Sequence, residues 1–187
     1  MKPIRFFYLF EMIKGEKTGL RALEKEDLSL LRDWRNIPNF RKHFREIREL
    51  SMHNQEKWLE ITNNRSTDFM FGIVDLKTNE LIGAGGLLYI NWINRAADFS
   101  FYIGKNEAYI DDEGFAFDAV KTLIEYGFNN LNLNKIWMEL YEFDEQKLRF
   151  FREDFNFQTD GKLRENCFEG GRYWDSYIIS LLRSEYK

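Results

Sequence analysis

Two carboxylates on predicted strands are the residues of this sequence best placed to act as a general base. Asp98 lies in a strand predicted for residues 96–104, and Glu139 lies in a strand predicted for residues 135–142. Either carboxylate could take a proton from an ammonium group, directly or through a water molecule. The alternative for each is a half-exposed strand carboxylate without a chemical role, and this alternative weighs more for Glu139. Both are therefore candidate catalytic residues.

A dense charged stretch after Pro38 is the candidate substrate-binding surface. Its side chains include Arg41, His43, Arg45, Glu46, Arg48 and Glu49. The ordinary explanation of such a run is a solvated face. In a functional interpretation, Glu46 and Glu49 would hold a cationic polyamine. Arg45 and Arg48 could equally hold the phosphate of a sugar nucleotide, so the mixed signs leave both interpretations open.

The histidines and the cysteine give no sign of metal chemistry. His43 and His53 lack further ligands at the spacing of a metal site, so we predict no bound metal. Cys167 is the one cysteine, which excludes an intrachain disulfide and a cysteine zinc site. Such cysteine usage is typical of a reducing compartment. We interpret Cys167 as a half-buried strand residue.

Length and composition predict one domain over residues 1–187. The chain is 44% hydrophobic, contains two prolines and has no low-complexity stretch or internal repeat. Its formal net charge of -4 argues against nucleic acid as the main partner, because phosphate binding needs a basic surface. No apolar run approaches the length of a membrane span. We expect a soluble, cytoplasmic protein with neither nucleic acid nor membrane as a partner.

Hydrophobic periodicity predicts, in order, a strand, helices, three strands, a helix, a strand, a helix and two strands. The predicted strands are 4–12, which is followed by a short strand or strand end at 19–23, then 69–75, 81–91, 96–104, 135–142, 163–168 and 173–182. The predicted helices are 27–35, 40–44, 114–130 and two more that are capped by Ser51 and Asp144. This order fits an α/β fold with a mixed central sheet and helices on both faces. The strands on either side of helix 114–130 should pair in parallel.

Several short motifs between residues 19 and 182 resemble the GNAT superfamily of N-acetyltransferases. They are LRALE at 20–24, WRN at 34–36, QEKW at 55–58, LIG at 81–83, AADF at 96–99, NLNKI at 132–136 and GRYWD at 171–175. In order and spacing they are similar to the branch that contains ribosomal-protein, spermidine and nucleotide-amino-sugar N-acetyltransferases. The resemblance implies a GNAT fold, acetyl-CoA as the co-substrate and a small-molecule amine as the acceptor.

The resemblance also implies where acetyl-CoA binds. In similar proteins the pantetheine arm pairs with the backbone of the strand before the long helix, which corresponds here to Phe101, Tyr102 and Ile103. The pyrophosphate lies at the N-terminus of that helix, where free N–H groups favour anions. The corresponding residues here are Asp111, Asp112, Glu113, Gly114, Phe115 and Ala116. Asp144 stands where a relative has Asn.

The pyrophosphate segment departs from the family pattern of Gln or Arg, then Gly, any residue, and Gly or Ala. Of this pattern only Gly114 is retained, and the three residues before it are acidic. Like charges about 4 Å apart repel by about 4 kcal/mol at an effective dielectric of about 20. The acidic residues could instead cap the helix, because carboxylates complement the dipole of a helix N-terminus. Capping explains the helix but leaves pyrophosphate binding in question.

The general acid is a second departure. Relatives often place a tyrosine on the last helix, where its hydroxyl can protonate the departing thiolate. The position of that tyrosine falls on Phe151 when residues are counted forward from Asp144, and on Arg152 when they are counted back from Phe157. The segment between them therefore has one residue more than usual. Phe151 fits the apolar stripe of its helix. Arg152 could stabilise a thiolate by its charge but hardly donates a proton at neutral pH.

Two functional hypotheses follow from the resemblance. The first is an active N-acetyltransferase whose acceptor is an amino sugar or similar amine, a polyamine, or a protein N-terminus. The second is a degenerate GNAT domain that has lost catalysis and serves as a binding or assembly module. Relatives are often dimers or larger, so a homo-oligomer is possible.

Overall fold

The computed structural model describes residues 12–186, which form a mixed sheet of eight strands. The strands are β1 (Ile13–Lys14), β2 (Thr18–Ala22), β3 (Phe69–Asp75), β4 (Leu81–Asn91), β5 (Ala96–Ile103), β6 (Lys135–Tyr141), β7 (Gln158–Glu169) and β8 (Arg172–Leu182). Their order is β1-β2-β3-β4-β5-β6-β8-β7, and all neighbours are antiparallel except β5 and β6. The predicted parallel pair is confirmed. The strand predicted at 4–12 lies, apart from Met12, outside the described residues.

Five helices are present in residues 12–186. They are α1 (Leu28–Asn36), α2 (Pro38–Arg41), α3 (Met52–Asn64), α4 (Phe115–Glu125) and α5 (Glu145–Arg149). One π-helical turn, Tyr126–Asn130, extends α4, and another, Phe150–Asp154, extends α5. Both predicted caps are confirmed, because the Ser51 side chain accepts from the N–H of Asn54 and that of Asp144 accepts from the N–H of Lys147.

The helices pack on both faces of the sheet, as the element order predicts. On one face, a Cβ atom at Gly85 of β4 would come within 2.9 Å of Leu123 of α4. The neighbouring residue Ala84 points the other way, as alternation along a strand requires, and lies opposite α3. On that second face, Trp34 of α1 packs edge-on against Tyr102 of β5 at a ring-centroid distance of 6.4 Å.

β5 and β6 separate soon after they begin, and this separation creates the main opening in the sheet. They pair only from Ala96 and Lys135 to Asp98 and Trp137. β5 then continues on one side of the opening and β6 on the other. Beyond Asp98, the edge of β5 therefore has no β6 partner.

The hairpin between β7 and β8 has the turn that its sequence predicts. Gly170 and Gly171 both have positive φ, 61° and 83°, which suits a tight two-residue hairpin turn. Cys167 lies half-buried in β7 and is free, as interpreted from the sequence.

Within residues 12–186, no helix is long and apolar enough to cross a membrane. In the same part of the chain, no group of three or more His, Cys, Asp or Glu side chains is arranged to hold a metal ion.

Asp118 of α4 fixes the turn between β1 and β2. Its carboxylate accepts backbone N–H groups from Glu16, Lys17 and Thr18 at 2.8, 3.0 and 2.8 Å, and the Thr18 hydroxyl at 2.6 Å. Burial raises the pKa of Asp118, but these hydrogen bonds outweigh it and the net pKa is lowered.

We expect Asp118→Asn to lower the free energy of unfolding by about 3 kcal/mol, because hydrogen bonds to a charged acceptor contribute about 1.5–3 kcal/mol each. The lowered pKa means that this contribution is complete above the ordinary value of 3.8 and is lost as pH falls. Denaturant unfolding should show the loss at pH 7 and a smaller difference at pH 3. Asp154→Asn, at an exposed position, is the control, and equal effects of the two changes would contradict this role.

Candidate functional site

A cleft of about 560 Å³ opens on the face of the sheet that carries α1 to α3, where β5 and β6 separate. Ala84 and Ser100 line it from the sheet, and Gln55 and Trp58 line it from α3. The segment 43–50, between α2 and α3, completes the lining. Ligand pockets typically measure about 300–1,000 Å³, so a small organic molecule fits here.

The two candidate bases lie together in this cleft and are joined by Arg45. Arg45 donates to Asp98 Oδ2 at 2.6 Å, and its Nε lies 3.7 Å from Glu139 Oε2. Asp98 is only 6% exposed. Burial raises the pKa of Asp98; Arg45 opposes the rise, and the Glu139 carboxylate adds to it. The pKa of Asp98 is thus moved toward the range in which a general base works best.

Glu139 is held by polar partners on the β7–β8 hairpin. The Ser176 hydroxyl donates to Glu139 Oε1 at 2.7 Å, and Asn166 Nδ2 donates to the same oxygen at 2.6 Å. These bonds fix its carboxylate beside Arg45. Asp98 makes fewer competing contacts and is the stronger candidate to meet an incoming amine.

The charged stretch contributes to the cleft rather than to a wholly solvated face. All four predicted substrate residues, Arg45, Glu46, Arg48 and Glu49, line it. Arg48 Nε donates to Glu46 Oε1 at 2.9 Å, and the hydrogen bonds from Arg48 lower the pKa of Glu46 to about 2. Glu49 forms no ion pair with any residue in the 12–186 range. Two of these residues therefore neutralise each other before any ligand binds.

A buried polar cluster next to the cleft was missed in the sequence analysis. Tyr109 donates its hydroxyl to Asp144 Oδ2 at 2.7 Å, and Lys147 Nζ contacts the Tyr109 oxygen at 3.2 Å. The ring of His43 stacks on Tyr109 at 4.8 Å. Its Nδ1 lies 3.3 Å from Asp144 Oδ2 without the alignment of a hydrogen bond. No local pattern marks Tyr109 or Lys147, because their partners come from distant segments.

The open edge of β5 is partly occupied by this cluster. Lys147 Nζ donates to the Phe101 carbonyl at 2.7 Å, and Ile103 exchanges two backbone hydrogen bonds with Tyr109. Alternate residues of a strand direct their N–H and C=O groups to the same edge, so Phe99 and Phe101 also face the opening. The N–H and C=O groups of Tyr102 face the opposite edge of β5, toward β4. Between Asp98 and Ile103 the edge has no β6 partner, although Lys147 occupies the Phe101 carbonyl.

Burial lowers the pKa of Lys147 to about 8, with a further decrease from the charge of Arg35 and opposition from Asp144. A folded-state pKa below the ordinary 10.5 means that the protonated ammonium destabilises the native state. The penalty is complete below pH 8 and is relieved as pH rises toward 10.5. It corresponds to about 3 kcal/mol at about 1.36 kcal/mol per pKa unit.

We therefore expect the free energy of unfolding of the wild type, relative to that of Lys147→Met, to rise between pH 8 and 10. Tyrosine titration is common to both proteins and cancels in the difference. Denaturant unfolding at three or four pH values measures it. Lys121→Met removes an exposed lysine and should follow the wild type. A pH-independent difference between wild type and Lys147→Met would contradict the lowered pKa.

Asp111 caps α4 and occupies the N–H groups at its start. Asp111 Oδ2 accepts from the Phe115 N–H at 2.9 Å, and its Oδ1 accepts from the Ala116 N–H at 2.5 Å. Gly114 has φ 88°, and the neighbouring Glu113 carbonyl accepts from Lys17 Nζ at 2.7 Å. The capping interpretation holds for Asp111, whose carboxylate binds backbone instead of turning to solvent. Asp112 and Glu113 are exposed and form no side-chain hydrogen bond with other described residues.

The structure does not bring Phe151 or Arg152 into the cleft. Both residues belong to the π-helical turn Phe150–Asp154, whose i→i+5 hydrogen bonds make a wider turn than that of an α-helix. Phe151 is fully buried and packs against Phe99 and Phe157 at ring-centroid distances of 5.5 and 5.1 Å. Arg152 donates to Thr159 on β7, away from Asp98. Phe151 is thus a core residue, and neither residue lines the cleft.

Comparison with known proteins gives a consistent set of relatives. Residues 17–153 match the family described as an acetyltransferase (GNAT) domain. The chain is 30% identical over 179 residues to the uncharacterized N-acetyltransferase p20 of Bacillus licheniformis, which covers 94% of this chain and 98% of the relative.

Solved structures agree with the sequence matches. A crystal structure of spermidine N-acetyltransferase from Vibrio cholerae in complex with CoA and spermine has a TM-score of 0.82 and 29% identity, covering 91% of this chain and 98% of the other. A dodecameric structure of spermidine N-acetyltransferase from the same organism has a TM-score of 0.75 and 27% identity, covering 90% and 95%.

Proposed function

This chain belongs to the GNAT family of acetyltransferases, and from that premise we propose that it transfers an acetyl group from acetyl-CoA to the primary amine of a small molecule. The observation that carries the proposal is the separation of β5 and β6 beyond Asp98. It opens a strand edge for the donor directly beside a cleft that contains a buried carboxylate.

The pantetheine arm of acetyl-CoA would find a free strand edge in this chain, whereas its pyrophosphate would find a helix start that is already capped. The free edge of β5 between Asp98 and Ile103 fits the pantetheine arm, because an amide-containing arm can pair with backbone as a strand does. The Asp144 carboxylate accepts the hydroxyl hydrogen of Tyr109. Asp144 would therefore contribute to binding of the pantetheine arm indirectly, through the Tyr109 hydroxyl. The pyrophosphate would lie at the start of α4 with Lys17 nearby, but it must share or displace the N–H groups that Asp111 holds.

The residues of the cleft suggest how the transfer proceeds. Asp98 takes a proton from the ammonium group, and the free amine attacks the thioester carbonyl. The C–N bond forms and the C–S bond breaks, and the second proton lost by the amine goes to the departing thiolate, which leaves as the thiol. Glu139 and Arg45 keep the Asp98 carboxylate in place. We assign stabilisation of the departing thiolate to Lys147, because it is the cation that bonds to the donor strand, whereas Arg152 lies elsewhere. Positioning of amine and thioester supplies much of the remaining rate.

The proposal extends to the acceptor and to the state of the protein. Acceptors consistent with the cleft are an amino sugar, a polyamine such as the spermine bound by the Vibrio cholerae relative, and a protein N-terminus. We propose one domain over residues 1–187 that assembles into a homo-oligomer, as a relative does. Exposed Phe168 and Tyr173 on the β7–β8 hairpin offer an apolar surface for that contact. A cytoplasmic location fits the free Cys167.

Two linked measurements test the function. Isothermal calorimetry should show acetyl-CoA binding in the micromolar range, and thiol release should then depend on an added primary amine. The amine panel should contain amino sugars, polyamines and short peptides. Absence of acetyl-CoA binding up to millimolar concentration would overturn the proposal. Binding without amine-dependent thiol release from any member of the panel would overturn its catalytic part.

A further inference from the structure

Arg35 of α1 is the arginine of the cleft that has no carboxylate partner in residues 12–186. The other cleft arginines each pair with a carboxylate: Arg45 with Asp98, Arg48 with Glu46, and Arg65 with Asp68. No salt bridge or hydrogen bond from Arg35 to another described residue is present, and its Nε atom is buried without a partner. Its guanidinium lies over the Phe44 ring, 3.7 Å from the ring centre.

The surroundings of Arg35 increase the cost of this unpaired charge. Burial lowers the pKa of Arg35, and the positive charge of Arg35 in turn lowers the pKa of Lys147. Glu46 attracts Arg35 electrostatically but is already paired with Arg48. A guanidinium does not lose its proton in a protein, so it cannot escape the cost by becoming neutral. Arg35 as a whole is half-buried, and an uncompensated charge that is partly removed from water is offset when an anion binds.

The position of Arg35 indicates which molecule would bring that anion. Arg35 lines the same cleft as Asp98, whereas Gly114 and Phe115 at the start of α4 do not line it. The anion is therefore separate from the pyrophosphate of acetyl-CoA. It belongs to the molecule that places its amine at Asp98.

We propose that Arg35 binds a carboxylate or phosphate group of the acceptor, so that the acceptor carries a negative charge in addition to its amine. The inference rests on the proposed function and narrows it. A planar guanidinium matches either anion by two parallel hydrogen bonds. A polyamine lacks any anion and leaves Arg35 unpaired in the complex, so polyamines are the disfavoured class.

Matched acceptor pairs test the substrate class. We would measure kcat/KM by thiol release for L-lysine against cadaverine and for glucosamine 6-phosphate against glucosamine. The wild type should prefer the anionic member of one pair by about tenfold or more, since a charged hydrogen-bonded pair contributes about 1.5–3 kcal/mol. A preference for L-lysine over cadaverine would identify a carboxylate as the bound anion, and a preference for glucosamine 6-phosphate over glucosamine would identify a phosphate. Equal or better turnover of cadaverine and glucosamine would overturn the inference.

Substitution of Arg35 ties the preference to this side chain. Arg35→Met should bring the ratio of kcat/KM within each pair close to one while keeping turnover of the neutral or cationic member. Arg32→Met on the same helix is the matched control, because Arg32 pairs with Asp33 and does not line the cleft. A preference that persists in Arg35→Met would overturn the assignment to Arg35.

A thermal-stability measurement tests whether Arg35 binds an anion, and it does not require catalysis. Inorganic phosphate or acetate, compared with chloride at equal ionic strength, should raise the melting temperature of the wild type and of Arg32→Met, but not that of Arg35→Met. In chloride alone, Arg35→Met should melt at or above the wild-type temperature, because the substitution removes an unpaired charge. An equal anion effect in all three proteins would overturn the anion site. Arg35-dependent stabilisation without any thiol release would instead contradict the proposed function and support the site.

Discussion

Replacing Asp98 with Asn is expected to lower kcat/KM for the amine acceptor by about 10²–10⁴-fold, the contribution typical of a positioned general base. The amide is nearly the same size as the carboxylate, so the shape of the cleft is retained. It cannot take a proton, and the raised pKa that burial gives Asp98 has no counterpart in the variant. Thiol release at saturating acetyl-CoA measures the change.

Three readouts separate a catalytic role of Asp98 from a structural one. Acetyl-CoA affinity by calorimetry should be unchanged in Asp98→Asn. The wild-type kcat/KM should fall as pH falls through the raised pKa of Asp98, and this limb should be absent in the variant. Glu139→Gln should have a smaller effect, because Glu139 is held by Ser176 and Asn166. Asp98→Asn activity within about threefold of wild type, or a larger loss in Glu139→Gln, would show that Asp98 is not the base.

The fold follows from local patterns to a large extent. The helix capped by Ser51 begins where it was predicted, and strands 69–75, 81–91 and 135–142 were predicted within one residue, because each has a clear period and a cap or turn residue at its end. Two glycines of β4 lie where the backbone of a neighbouring strand comes close. A Cβ atom at Gly83 would lie 2.4 Å from the Tyr102 carbonyl, and one at Gly86 2.3 Å from that of Phe69. Close approach is therefore the reason for both.

Elements with weak burial contrast were predicted less well. β7 was expected at 163–168 but spans Gln158–Glu169. Most of its side chains are exposed, so the apolar alternation that marks a strand is missing from its first half. The ends of α4 and α5 are π-helical turns, which no periodicity of 3.6 residues predicts. The surplus residue between Asp144 and Phe157 was visible in the sequence, whereas its location within the helix was not.

In the site, too, the residue types were predicted from the sequence, whereas the contacts between them were not. Asp98, Glu139 and the charged stretch after Pro38 were found because their residue types carry chemistry. Their pairing was not, because Arg45 and Asp98 are 53 positions apart and meet only through the fold. Lys147 was missed for a related reason: a lysine in an amphipathic helix is normally exposed, and only tertiary contacts show that this one is buried.

Replacing Asp111 with Asn is expected to tighten acetyl-CoA binding by about tenfold or more at low salt, because a third of the repulsion of about 4 kcal/mol between close like charges already gives that factor. Its carboxylate takes the two N–H groups of Phe115 and Ala116. These are the groups that a helix N-terminus offers to phosphate. Asn has one acceptor oxygen instead of two, so it can still cap one of these N–H groups and leaves the other for phosphate. Calorimetry of acetyl-CoA binding at two ionic strengths measures the change.

Asp112→Asn separates occupancy of the N–H groups from charge alone. It removes the same negative charge one residue further along but leaves the Asp111 bonds to Phe115 and Ala116 in place. If general repulsion dominates, the two variants should tighten binding equally, and the gain should shrink with added salt in both. If Asp111 competes directly for the N–H groups, Asp111→Asn should give the larger gain, and the excess should survive high salt. Unchanged affinity in both variants would mean that acetyl-CoA binds with its pyrophosphate away from the start of α4.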